Sequence, residues 1–160
     1  MGVFDESICN CCVCPMQCVL EQLVGQEVQI ITLISASMEP EPLFDVKNFI
    51  AFSEIGEFPV CNINAVSYPA TLTNKLKLKN TQKNTGECVC CENSITRQLN
   101  KMIGQEVEIE FLFQLQPIVV GTIFKVGKGI VLLDQGDSDL DLAISTCAIT
   151  RIIPTTSTTN

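Results

Sequence analysis

Histidine and tryptophan are absent from this 160-residue chain, and Tyr68 is its single tyrosine. Without histidine, the commonest general base and the usual activator of a serine or cysteine nucleophile are missing. No glycine-rich phosphate loop is present either. These gaps argue against an enzyme. Basic residues are scarce, ten against eighteen acids, for a net charge of −8. An acidic protein repels phosphate backbones, so nucleic acid is not an expected partner. No stretch reaches the roughly 18 apolar residues of a membrane helix. The acidic start MGVFDESICN lacks the basic and apolar regions of an export signal. The expectation is a protein made in the cytoplasm, with no membrane partner and no cofactor.

The charge is unevenly spread. Residues 1–70 carry nine acids against one base, Lys47, while residues 71–101 carry six bases against two acids. The basic middle, with Lys75, Lys77, Lys79 and Lys83, reads as a solvated linker. Aliphatic residues are plentiful enough for a core of Val, Ile, Leu and Phe. The length suits one domain or two very small ones. Units of roughly 60 residues hide only about 60% of their unfolded surface, so crosslinks or partners are expected to help.

Cysteine is abundant: ten residues, seven of them in two clusters. Cys9, Cys11, Cys12 and Cys14 form the first, and Cys88, Cys90 and Cys91 the second. A reducing cytosol rarely carries such a load as disulfides. The clusters therefore bind metal, or the protein ends up in an oxidising place. Cys11, Cys14 and Cys18 have the gaps of zinc thiolates. Against that reading, Asn93 and Arg97 stand where the second cluster would need counterparts of Cys14 and Cys18. A thioredoxin-like site needs a βαβ setting that the pattern does not offer. Covalent crosslinking remains. Cys9, Cys11, Cys12, Cys14 and Cys18, with Cys88, Cys90 and Cys91, are the expected links to neighbouring subunits. Cys61 and Cys147 lie in apolar stretches and are expected to be buried, inert thiols.

The chain contains an internal repeat. At an offset of 79 residues, ten of the 25 positions from Cys9 to Leu33 are identical to those from Cys88 to Leu112. The matches include the cysteine clusters and Gly25-Gln26-Glu27-Val28 on Gly104-Gln105-Glu106-Val107. Each copy opens with a helical stripe, Met16, Val19, Leu20, Leu23 and Val24 in one, and Ile95, Leu99, Met102 and Ile103 in the other. Gly25 and Gly104 suit the left-handed helix stop.

Strands follow. In the second copy Val107, Ile109, Phe111 and Phe113 alternate with glutamates, which marks a half-buried strand. Ile118–Val126, Ile130–Leu133, Leu140–Ser145 and Arg151–Pro154 complete five strands. In the first copy the expected strands are Val28–Ile34, Leu43–Val46, Phe49–Phe52, Val60–Ile63 and Val66–Tyr68. Asp134, Asp137, Asp139 and Asp141 read as a polar hairpin turn, since they lack the spacing of an EF-hand. A helix with five short strands predicts a small barrel closing on itself.

The segments GTIFKVGKGIVLL and AISTCAITRII, with the helix and Gly-Gln-x-Val, resemble the Sm-like small barrels. They are more closely similar to small Bacillus-type spore-coat and spore-surface proteins that carry such barrels. The clusters CNCCVC and CVCC resemble the cysteine-rich motifs of spore coat, exosporium and spore-appendage proteins. The resemblance implies a mainly β fold of two tandem Sm-like or SH3-like barrels, each after a short helix and a cysteine-rich arm. The units expected are an arm at 1–15, a first barrel at 16–72, a basic linker with the second cluster at 73–94, a second barrel at 95–154 and a tail at 155–160. It also implies a structural, self-assembling subunit, a homo-oligomer or polymer joined with other spore coat proteins. Such a protein is made in the mother cell and deposited on the spore surface. Metal binding and, behind it, Sm-like RNA binding are the alternatives. The Arg-Gly turn through which Sm proteins hold RNA is missing, and Ser145-Thr146-Cys147-Ala148 stands in its place.

Overall fold

The computed structural model describes residues 13–79 and 94–155. Within them the fold is mainly β: ten antiparallel strands in one sheet and two helices. Helix α1 spans Val13–Gln22. It is followed by β1 (Glu27–Ile31), β2 (Glu41–Lys47), β3 (Ile50–Ser53), β4 (Gly56–Pro59) and β5 (Ala65–Pro69). Helix α2 spans Ser94–Asn100. After it come β6 (Glu106–Phe111), β7 (Ile118–Gly127), β8 (Ile130–Asp134), β9 (Leu140–Ser145) and β10 (Ile149–Pro154). Neither helix is long and apolar enough to cross a membrane.

The apolar stripe explains α1. Met16, Val19, Leu20 and Leu23 recur every three or four residues and are buried. Val24, expected on the same stripe, falls outside it and is 39% exposed. Gly25 ends the helix with φ +85 and its N–H donates to the Leu43 carbonyl over 2.8 Å. Gly104 ends α2 in the same way, with φ +83 and a 2.8 Å bond to the Ile123 carbonyl. A glycine without Cβ reaches this left-handed backbone at little cost.

The repeat therefore extends far past the segment of sequence identity. Both halves carry a β-bulge at corresponding points, between Leu43 and Asp45 and between Ile123 and Lys125. In both, a 3-10 turn precedes the last strand, Val60–Asn62 in the first half and Thr146–Ala148 in the second. The first of these turns corrects one expected strand. Val60–Asn62 turns instead of extending, and the fourth strand of that half is Gly56–Pro59. The halves differ in one hairpin. Two residues, Glu54-Ile55, join Ser53 to its partner Gly56, whereas eight lie between Leu133 and its partner Leu142.

The sheet order is β10-β6-β7-β8-β9-β5-β1-β2-β3-β4. This corrects the expectation of two barrels that each close on themselves, because the sheet is open. The last strand of the first half pairs with the fourth strand of the second, β5 with β9. The edges that would close each barrel are used to join the halves. The core follows. Ile130, Leu132 and Ala143 of the second half pack with α1 and the first-half strands. Val131, Leu133, Leu142 and Ile144, on the other face of the same strands, pack with α2 and with Ile31 and Ala65. A strand buried on both faces reads as an unbroken apolar run, which is what Ile130-Val131-Leu132-Leu133 is.

The segment expected as a linker also changes. Leu76 is buried in the first core, and Leu72 and Leu78 pack against it. Gln22 on α1 pins the Lys77 backbone twice, Nε2 to the carbonyl at 2.9 Å and Oε1 to the N–H at 2.8 Å. Lys128 donates its N–H to the Lys79 carbonyl over 2.9 Å. Residues 73–79 are thus folded structure, Ser94 begins α2, and residues 80–93 of the expected linker lie outside the described residues.

Candidate assembly site

The joint between the halves is the best-built polar site of the molecule. Five register pairs run from Ala65 with Ile144 to Pro69 with Leu140. Ser145 donates its N–H to the Asn64 carbonyl at 2.9 Å, and Ala70 donates to the Asp139 carbonyl at 2.9 Å, which extends the joint at both ends. Asn64 also ties the halves through its side chain, Nδ2 donating to the Leu112 carbonyl over 2.7 Å.

Three buried polar side chains lock one end of the joint. Tyr68 and Asp141 are a cross-strand pair. Thr73 bridges them: its hydroxyl donates to Asp141 Oδ2 and lies 3.3 Å from the Tyr68 hydroxyl oxygen. The other carboxylate oxygen of Asp141 accepts the Gln135 N–H at 3.1 Å. Burial pushes the Tyr68 phenol up to about 12. Its bond with Thr73 works against that rise, and the negative charges of Asp141 and Asp134 add to it. Asp141 is only 4% exposed. It was expected in a polar hairpin turn, as were Asp134, Asp137 and Asp139. The turn itself is local: Asp134 Oδ1 accepts the Gly136 N–H at 2.7 Å, and Ser138 Oγ the Leu140 N–H at 3.1 Å. Sequence reading missed Asp141 and Thr73 as joint residues. The available signal was Tyr68, since a lone tyrosine in an apolar strand needs a partner for its hydroxyl.

At the ends of the sheet lie β4 and β10. Among the described residues β4 pairs only with β3, and β10 only with β6. On β10, Arg151 reaches Glu110 at 2.9 Å in an exposed ion pair.

The cysteines divide. Cys9, Cys11, Cys12, Cys88, Cys90 and Cys91 lie outside the described residues. Cys14 is buried at the start of α1 and is disulfide-bonded. A disulfide sulfur is not a thiolate, so Cys14 in this state does not ligate zinc. Cys18 follows one helical turn later and is half-buried. No group of three cysteine, aspartate or glutamate side chains among the described residues is placed to hold a metal ion. Cys61 and Cys147 occupy equivalent places, the middle of the two 3-10 turns. Both are exposed, which corrects the expectation of buried thiols. A 3-10 turn between two strands projects its middle residue away from the sheet, and the apolar flanks Val60 and Ala148 take the core positions instead. Cys147 is disulfide-bonded, whereas Cys61 is a free thiol.

No family model, curated protein or solved structure matches this chain.

Proposed function

We propose that the protein is a structural, self-assembling subunit of a spore surface layer or fibre, built of paired Sm-like units and crosslinked by intermolecular disulfides. One observation carries the reading. The sheet joins two half-units strand to strand and then stops at two edges that have no partner among the described residues. An edge strand offers unpaired N–H and C=O groups and is a natural joining surface. The cysteine load supplies the covalent part. Cys61 is exposed and lies two residues past the end of the edge strand β4. The clusters at Cys9, Cys11 and Cys12 and at Cys88, Cys90 and Cys91 add further sulfurs beyond it. The spore setting rests on the resemblance of those clusters to spore-surface motifs.

Gel electrophoresis without reductant, after air oxidation, tests the reading. A ladder of high-order bands that collapses to 17.5 kDa with reductant is expected. A chain that stays monomeric under oxidation would falsify it.

A further inference from the structure

Self-assembly leaves open which edge meets which. We infer that copies join head to tail, β10 of one copy against β4 of the next, in the register of the inner β5–β9 joint. This rests on the self-assembly reading above and deepens it.

The inner joint supplies the template. β5 is the last strand of its half and β9 the fourth of the other. The free edges are the remaining last strand, β10, and the remaining fourth strand, β4. Residue correspondence follows from the strand registers of the two halves. Val66 pairs with Ile30 as Ile152 pairs with Ile109, and Ile50 pairs with Pro59 as Ile130 pairs with Ser145. Carrying the inner register outward puts Arg151 opposite Phe58, Ile152 opposite Glu57 and Ile153 opposite Gly56.

The hydrogen-bond phase of each edge can be found independently. In an antiparallel ladder, successive residues point their N–H and C=O groups to alternate sides. Val60 donates to the Phe49 carbonyl at 2.8 Å, so Phe58 and Gly56 face β3 and Glu57 faces outward. Thr155 donates to the Glu106 carbonyl at 3.4 Å, so Ile153 faces β6 and Ile152 faces outward. In the inner joint the Ser145 bond to Asn64 makes Val66 and Ala143 the residues that face each other. Their counterparts are Ile152 and Glu57. Ile152 and Glu57 therefore present their N–H and C=O groups in the phase that the inner register requires, while the next outward residues, Pro154 and Pro59, offer carbonyls only.

The outer joint is shorter. β4 has four residues and ends at Pro59, which has no N–H to donate. The longer β8–β9 hairpin gives the inner joint Asp141 and the Thr73 bridge, and β4 has no such extension. A short joint of this kind holds transiently, and the crosslinks of the proposed function make it permanent. Because the two edges differ, the contact is heterologous and generates a ring or an open filament, not a closed dimer.

The experiment uses Glu57→Pro, an exposed change that removes an outward N–H and is checked for a native circular dichroism spectrum. After air oxidation, the full chain and the variant are compared by analytical ultracentrifugation, alone and mixed. Wild-type assemblies, a monomeric variant, and shortening of wild-type assemblies by a small share of variant are the expected results. The shortening arises because the variant keeps an intact β10 edge and caps a growing end. The complementary Ile152→Pro, checked for a native circular dichroism spectrum, is expected to cap the other end. A Glu57→Pro protein that still assembles, or dimerises through β10, overturns head-to-tail joining while leaving self-assembly standing. A monomeric wild type removes the self-assembly reading itself.

Discussion

Tyr68 and Asp141 stand directly opposite each other across the seam between the two halves, and the Thr73 hydroxyl bridges their side chains. The three residues come from β5, from the segment that follows it and from β9. The seam is therefore fixed by groups that have little value unless the halves are joined.

Thr73→Val is the direct test of that arrangement. It keeps the shape of the side chain but leaves Asp141 Oδ2 buried without its donor. An unsatisfied buried acceptor costs about 1–3 kcal/mol, and more if charged. Urea denaturation is expected to show a loss of that size. Thr73→Ser, which keeps the hydroxyl, is expected to retain most of the stability. Equal losses from both changes would mean that the methyl packing, not the bridge, matters.

Tyr68 makes stability depend on alkaline pH. Its folded value of about 12 lies above the ordinary 10. Below pH 10 the phenol is neutral in both states and its contribution is complete. Between 10 and 12 the unfolded chain ionises first, so stability falls as pH rises, by about 3 kcal/mol in all. Tyr68→Phe is expected to remove that part of the alkaline slope. Because this is the single tyrosine and tryptophan is absent, phenolate absorbance reports on it alone. A folded protein whose phenol titrates near 10 would contradict the buried bridge.

The shared strands predict one cooperative transition, not two. Leu99 is fully buried in the second core, while Tyr68 belongs to the first. Leu99→Ala is expected to cost about 2–5 kcal/mol. Tyrosine fluorescence and far-ultraviolet circular dichroism are expected to shift together in a thermal melt. If the tyrosine signal kept its wild-type midpoint while the rest moved, the halves would be independent domains.

Much of this fold was legible in the sequence. Gly25 and Gly104 mark equivalent helix ends because a left-handed backbone favours one residue type. Leu140–Ser145 was bounded correctly because a polar turn precedes it and a 3-10 turn follows. The joining of the halves was not legible. Strand periodicity records which face is buried, but not which strand lies alongside. Ile130-Val131-Leu132-Leu133 is equally compatible with a closed barrel and with a strand between two cores. Asp141 fell inside the expected strand Leu140–Ser145 but was grouped with Asp134, Asp137 and Asp139 as part of a solvated turn, so its buried role was missed. Thr73 was misplaced because the lysines after it look solvated, although Leu76 among them is buried. At the assembly site, the six clustered cysteines outside the described residues carry the sequence signal. Cys61 was read as a buried, inert thiol because the residues before it, Phe58-Pro59-Val60, are apolar.

The equivalent cysteines in the two 3-10 turns are expected to respond differently to the same change. Cys147→Ser removes a disulfide, which costs about 2–5 kcal/mol in a small crosslinked domain. Cys61→Ser replaces an exposed thiol by a hydroxyl of similar size, and surface changes of that kind usually stay within about 0.5 kcal/mol. Under the proposed function the order reverses for assembly. Cys61→Ser is expected to weaken the high-order bands on gels run without reductant, since this thiol follows the edge strand β4. Denaturation curves and gels of the two variants, side by side, separate the roles. Loss of stability in Cys61→Ser, with unchanged bands, would assign Cys61 to the fold and leave crosslinking to the clustered cysteines alone.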